Sequence, residues 1–376
     1  MPLLRDVAIS QYFATVDDPR VDRTKDHALL DIIIIAICAV ICGADGWVDV
    51  EEFGKTKRAW LATFLALPNG IPSHDTFGRV FARIDPDQFQ QSFLQWVEAL
   101  RQVRTDLIAI DGKTHRGSQD RPNGKTALHL VSAWAAENRM VLGQVAVDDT
   151  SNEITAIPAL LELLDLQGST VTIDAIGCQT AIADQIVQRG GNYVLALKAN
   201  QPTMLADVQA LFADARAAQQ PEYGMTSATA TESGHGRHET RTAFVISDPS
   251  AIAYLNEGKR WRDLTSVALI EAHRTVNGKT SSAQRYYLLN QAPDAATVND
   301  LVRGHWGIEN RLHWVLDVIF GEDASRIRSG DAPQNMGVVR HIALNLLRQE
   351  PSKGSIKTKR LRAALNDTYL AQVLGL

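Results

Sequence analysis

The period of the apolar residues changes near Asp106, and this change divides the chain into parts that must fold differently. Ahead of it, from Asp26 to about Arg104, apolar residues recur at spacings of three and four. Phe77, Val80, Phe81 and Ile84 fall on one face of a helix that Ser73 can cap, and Asp85-Pro86 ends that helix and opens another over Phe89 to Leu100. Behind Asp106 the signals are short apolar runs bounded by polar residues and glycine, which read as strands. The predicted order is strands at Leu107 to Asp111, His129 to Ala136 and Val141 to Val147, a helix from Ile154 to Leu164, a strand ending at Asp174, a helix from about Thr180 to Arg189 and a strand from Tyr193 to Leu197. Three strands before the first helix suit a mixed α/β sheet with a leading meander, an order that a uniformly parallel sheet does not produce.

After Lys198 this rhythm pauses. A helical piece near Met204 to Ala217 gives way to a polar loop and then to strand-like runs at Thr242 to Ile246, Leu264 to Ala272 and Arg285 to Asn290, together a β-rich insertion at about 202–292. Helical spacing resumes near Ala296, continues through Trp306 to Phe320 and returns over Val338 to Leu347. The whole reads as a helical amino-terminal domain over 1–104, an α/β domain over 105–350 carrying the insertion, and a basic carboxyl-terminal segment over 351–376.

A length of 376 residues allows two or three domains with ample core. The formal net charge of -5 argues weakly against nucleic acid as a partner, but the charges are unevenly placed. Lys353, Lys357, Lys359, Arg360 and Arg362 lie between Ser352 and Ala363 without an acid, a segment that could track phosphates or simply form a solvated face. No signal peptide is recognisable, and Leu29 to Gly43, the most apolar stretch, is shorter than the ~20 residues of a membrane span and reads as a buried helix. Cys38, Cys42 and Cys178 lack the partners of a zinc set and suit small buried thiols in a reducing cytoplasm.

The candidate chemistry lies in three acids. Asp111 and Asp174 close apolar runs, where a pair of carboxylates could hold Mg²⁺ for a phosphate substrate, and where Asp111-Gly112 could equally be turn chemistry. At about 100° per residue Glu309 falls on a helix face with His305, Trp306, Leu312, Leu316 and Phe320, with Trp314, Val315 and Val318 opposite, so it is expected to be buried and to need a counter-charge. Gly-Lys-Thr occurs at Gly112, Gly124 and Gly278, each time without the earlier glycine of a phosphate-binding loop. His235 and His238 have ligand-like spacing but no third donor, which favours a flexible or DNA-facing loop. Lys198, just past a strand, could approach a phosphate beside the carboxylates or be merely solvated.

These residues resemble a known family over the full length of the chain. Asp18-Pro19-Arg20, Gly70-Ile71-Pro72-Ser73-His74-Asp75-Thr76-Phe77, Asp111-Gly112-Lys113-Thr114, Thr172-Ile173-Asp174-Ala175, Lys198-Ala199-Asn200-Gln201 and His235-Gly236-Arg237 are similar to motifs of the DDE transposases of bacterial insertion sequences, in the group of the H-repeat-associated proteins. His305-Trp306-Gly307-Ile308-Glu309-Asn310 through His313-Trp314-Val315-Leu316-Asp317-Val318 resembles the carboxyl-terminal signature of that group. The resemblance implies a ribonuclease H-like fold, Asp111, Asp174 and Glu309 as catalytic and metal-ligating residues, and two Mg²⁺ or Mn²⁺ ions per site. It also implies cleavage and strand transfer of double-stranded insertion-sequence ends by a homodimer at the nucleoid of a bacterial cytoplasm, the helical domain helping to bind DNA. The tyrosine, arginine and lysine of the wider superfamily are absent here, which leaves His305, Arg303 and Arg311 as candidate substitutes. Two alternatives stay open: a metal-dependent nuclease of the same fold, and an inactive DNA-binding relative.

Overall fold

The computed structural model describes residues 8–103, 106–119, 126–147, 152–217, 223–234 and 236–376. The amino-terminal helices follow the expected caps. Ser73 accepts from the Thr76 N–H at the start of His74–Phe81, and Asp85 accepts from Asp87 and Gln88 ahead of Pro86–Leu100, with Pro86 where a missing N–H does no harm. Leu29–Cys42 is buried along nearly its whole length and ends at Gly43, whose φ of 118° is costly for any residue with a Cβ. Among the described residues no single helix is long and apolar enough to cross a membrane; Leu29–Cys42 and Trp47–Thr56 reach the required length and composition only as a pair bent by 95°.

Nine strands form one ribonuclease H-like mixed sheet in the order β3-β2-β1-β4-β5-β9-β8-β7-β6. The leading meander is β1 (Leu107–Thr114), β2 (His129–Ala135) and β3 (Met140–Val147); β4 (Thr170–Ile173) and β5 (Asn192–Leu197) run parallel to β1. The insertion extends this sheet, because β9 (Lys279–Leu289) pairs antiparallel with β5 and is followed outward by β8 (Ser266–Val276), β7 (Arg237–Ile246) and β6 (Thr226–Gly234). The stretch expected to be a polar loop is mostly strand: β6, and the start of β7 with His238. His235 lies outside the described residues. Alternation of large apolar residues could not reveal these segments, because the half-buried face of β6 carries only Ala228, Ala230 and Glu232, and the strands are joined by hydroxyl pairs such as Thr229–Thr242 and, further out, Thr275–Thr280, 3.0 and 2.8 Å apart.

One hydrophobic core runs from Ile9 to Leu374, so the amino-terminal helices pack onto the same interior as the sheet. The carboxyl-terminal segment is part of it, and this corrects the reading of its five basic residues as a phosphate-tracking or solvated face. Two helices, Ile356–Leu365 and Asp367–Leu374, bury Ala363, Leu370 and Val373. Lys359 and Arg360 are buried with them: Lys359 Nζ donates to the Leu347 carbonyl at 2.9 Å and lies 3.2 Å from the Glu350 carboxylate. Arg360 Nη2 donates to the Val40 carbonyl at 3.0 Å, and its guanidinium sits 4.3 Å above the Phe320 ring. Arg362 spans Ser352 Oγ, at 2.7 Å, and the Tyr369 ring. Lys353 and Lys357 are the two basic residues of the set that stay exposed without such anchors.

Candidate active site

Ile108, Ala109 and Ile110 fix β1 in the core and bring Asp111 to the pocket wall. Asp111 lies within the strand, opposite Ser132 of β2, so turn chemistry at Asp111-Gly112 is excluded. Glycine follows it for a steric reason: a Cβ at Gly112 would stand 2.3 Å from Glu153 Oε1 and 2.6 Å from His129 Nε2. Ile110 pairs with Ile173 across the parallel β1–β4 ladder, so Asp174 emerges from the neighbouring strand one residue further on. One Asp174 oxygen accepts from the Ile176 N–H at 3.1 Å, which fixes its side chain at the start of a short helical turn.

The third acid arrives on the helix Ala295–Gly307 and its continuation. Gly304 lets that helix lie close on β1, since a Cβ there would come within 2.2 Å of Leu107 Cδ2. His305 is half-buried and bonds Thr172 Oγ1 of β4 through Nδ1 at 3.0 Å; this burial lowers its pKa. The residues Ile308–His313 then form a π-helical turn before α-helix resumes at Trp314–Ile319. Such turns break the 100° rule on which the face assignment rested. Ile308 and Leu312 point into the core, while the Glu309 side chain is 54 % exposed at the pocket mouth, which corrects the expectation that it is buried. Trp306, Trp314 and Val318 are exposed as well, so this helix is not enclosed between layers.

The pocket is lined by Asp111, Asp174 and Glu309 together with Lys198, His305 and Trp306. Arg285 of β9 also lines it, its guanidinium 5.0 Å above the Trp306 ring. Burial, then the negative charges of Glu309, Asp174 and Glu153, push the Asp111 carboxyl up to about 8. Oxygen and nitrogen atoms of Asp111, Glu309 and His313 all lie within 4.8 Å of one another; Asp174 faces the same pocket from outside that tight group. Of the other expected contacts, Arg303 is paired with Glu232 at 2.8 Å, and Arg311 is exposed, its carbonyl accepting from Arg348.

Two groups of residues escaped sequence reasoning. His313 follows Glu309 by four positions, and its Nδ1 stands 3.5 Å from Asp111 Oδ2 and 4.0 Å from Glu309 Oε2. Lys113 follows Asp111 by two on the same face of β1 and holds Asp317 and, at 2.7 Å, Glu322. The spacing of four on a helix and two on a strand was the available signal in both cases. Asp317, Glu322 and Asp323 are thus gathered around Lys113 rather than at the pocket, with His115 Nε2 3.4 Å and Arg340 Nη1 3.9 Å from the Glu322 carboxylate.

Family models and relatives match nearly the whole chain. The profile of the family described as Transposase DDE domain matches residues 103–346, and that described as DDE_Tnp_1-associated matches residues 10–97. The "Putative transposase YncI" of Escherichia coli O157:H7 is 39% identical over 371 residues, 98% of this chain and 94% of that protein. The "H repeat-associated putative transposase YhhI" of Escherichia coli K12 is 36% identical over 98% of this chain and 97% of its own length. A protein of Xanthobacter autotrophicus, "Uncharacterized protein in dhlA 3'region", is 46% identical over 75% of this chain and 94% of itself. The chain belongs to the DDE transposases, in the H-repeat-associated group.

Proposed function

We propose that this transposase cuts the DNA ends of an insertion sequence and joins them to target DNA by metal-assisted phosphoryl transfer, with Asp111, Asp174 and Glu309 as the catalytic carboxylates. The observation that carries this reading is the convergence of the three acids on one pocket from β1, β4 and the π-helical turn, with the Asp111 carboxyl pushed up to about 8 by burial and its acidic neighbours. A site that concentrates negative charge in this way needs a proton or a cation, and its oxygen donors suit Mg²⁺ or Mn²⁺. Two bound ions would activate the attacking hydroxyl and neutralise the leaving oxygen.

The protein's own groups then position the substrate. Lys198 and Arg285 face the pocket and supply positive charge for a scissile phosphate beside the acids. His305, tied to Thr172, keeps the helix that carries Glu309 seated on β4. Arg311, Lys353 and Lys357 remain exposed and are the candidates for longer-range phosphate contacts, while Arg303 would first have to leave Glu232. Two copies, each acting on one DNA end at the bacterial nucleoid, complete the scheme.

The test is an assay on linear DNA carrying the gene together with its flanking sequence on both sides, with a target plasmid and Mg²⁺. Cleavage at the ends followed by joining to the plasmid is expected, with both steps lost in Asp111→Asn, Asp174→Asn and Glu309→Gln. Cleavage without joining would make the protein a nuclease, and DNA binding without either step would make it a relic; each result overturns the proposal.

A further inference from the structure

Among the described residues, His313 is the one imidazole held against the pocket acids with no bond that explains its place. Its side chain is 8 % exposed, and Nε2 is buried without a hydrogen-bond partner. Nδ1 faces Asp111 at 3.5 Å, longer than an N–H···O bond, so direct bonding to the acid does not account for it either. Leaving a buried polar atom unsatisfied costs about 1–3 kcal/mol, and an apolar residue would fill the same space without that cost. His341 offers a contrast. It too is buried with an unpartnered ring nitrogen, but its ring lies beside Phe93 and burial is all it shows. Of these two, only His313 turns a nitrogen toward a pair of pocket carboxylates.

We propose that His313 binds one of the divalent ions directly through Nδ1, and that the Asp111–Glu309–His313 position therefore takes a transition ion such as Mn²⁺ in preference to Mg²⁺. This rests on the metal reading of the pocket given above and adds to it a nitrogen ligand and a preference. The spacing supports it. Donors around one ion bound at about 2.1 Å stand roughly 3.0 Å apart when adjacent and roughly 4.2 Å apart when opposite. The observed 3.5 and 4.0 Å from Nδ1 fall between these limits, and all three donors lie within 4.8 Å of one another. The π-helical turn supplies the means: it widens the coil between Glu309 and His313, residues that an α-helix would offset by about 40°. An imidazole is a softer donor than a carboxylate, and a hard ion that keeps its water shell gains little from it.

The experiment uses the full chain without DNA and titrates it with Mn²⁺ alone and with Mg²⁺ alone, by calorimetry and by electron paramagnetic resonance. Wild-type protein should bind Mn²⁺ with pulsed-resonance modulation from one coordinated nitrogen. His313→Ala should lose that modulation and bind Mn²⁺ roughly 10- to 100-fold more weakly, with Mg²⁺ affinity changed less than about threefold. Asp111→Asn separates the two ideas. If it loses Mn²⁺ while wild type shows no nitrogen signal, the carboxylate site stands and the role of His313 falls. If Asp111→Asn binds Mn²⁺ as wild type does, the metal reading of the pocket falls first. Equal losses of both ions in His313→Ala would mark a packing role and overturn the proposal, and the wild-type resonance decides the matter should that variant fail to fold.

Discussion

Lys113 Nζ lies 2.7 Å from Oε2 of the buried Glu322, and the same ammonium holds Asp317, so the strand that carries Asp111 is pinned to the chain just beyond the Glu309 helix. With the His305–Thr172 bond on the other side, Glu309 is bracketed by two tethers, one to β1 and one to β4.

Breaking the first tether from the basic side should be strongly destabilising. Lys113→Met leaves Glu322 buried with only His115 and Arg340 nearby, and the loss of a partner from a buried pair costs about 3–5 kcal/mol. Urea denaturation at pH 7 measures it. A loss below about 1 kcal/mol would mean that His115 and Arg340 suffice.

Acid should weaken the fold through His341. Burial holds its pKa down at about 3, below the usual value near 6.5, so between these two pH values the unfolded chain binds a proton that the folded chain does not. This contribution to stability is present above about pH 6.5 and is lost as pH falls toward 3, by up to about 1.4 kcal/mol per unit. His341→Phe should flatten the stability profile between pH 6 and 4, read by denaturation at each pH; an unchanged slope would assign the acid sensitivity elsewhere.

Asp111 has the opposite sign. Its folded pKa is raised to about 8, so the metal-free protein loses stability as pH rises from about 4 through 8 and the carboxyl is forced to ionise. Asp111→Asn should therefore raise the metal-free melting temperature at pH 8, the free-energy gain being at least about 1 kcal/mol. It should also remove most of the further rise that Mn²⁺ gives the wild type. Thermal melts in chelator and in Mn²⁺ check both; a variant less stable than wild type in chelator would count against a strained carboxylate.

The exposed and buried members of the basic carboxyl-terminal set should separate cleanly. Lys353→Ala with Lys357→Ala should lower the slope of log affinity for DNA against log salt by up to about 2, with little effect on stability. Arg360→Ala should do the reverse, destabilising the fold through its lost contacts to the Val40 carbonyl and Phe320. Filter binding over a salt series and denaturation distinguish them, and a salt slope that drops for Arg360→Ala alone would reverse the assignment.

The parts of this molecule that were legible in advance are those where burial forces a pattern. Ile108 to Ile110 and Val171 to Ile173 had to be apolar to reach the centre of the sheet, so the aspartates at their ends stood out. The distal ribbon left no such trace, because Thr229, Thr231, His273 and Ser282 face water and the half-buried face of β6 carries Ala228, Ala230 and Glu232 in place of large apolar side chains. Glu309 was placed on the correct segment but given the wrong environment, since the π-helical turn at Ile308–His313 changes the phase of every residue after it. Lys359 and Arg360 were misplaced for a third reason: a long cationic side chain can lie inside a fold when carbonyls of other segments receive it, and those carbonyls are distant in sequence.

The ladder between β5 and β9 has a mechanical consequence. Val194 to Leu197 are hydrogen-bonded directly to Tyr286 to Leu289, and the same β9 strand continues outward to Lys279 at the solvated tip of the ribbon. The tip is joined to Arg285 along one strand and to the end of β5, beside Lys198, across one ladder. The ribbon is thus an outward extension of the pocket wall, so whatever displaces its outer strands acts first on Arg285 and Lys198 and reaches Asp174 only across a further ladder, that between β4 and β5.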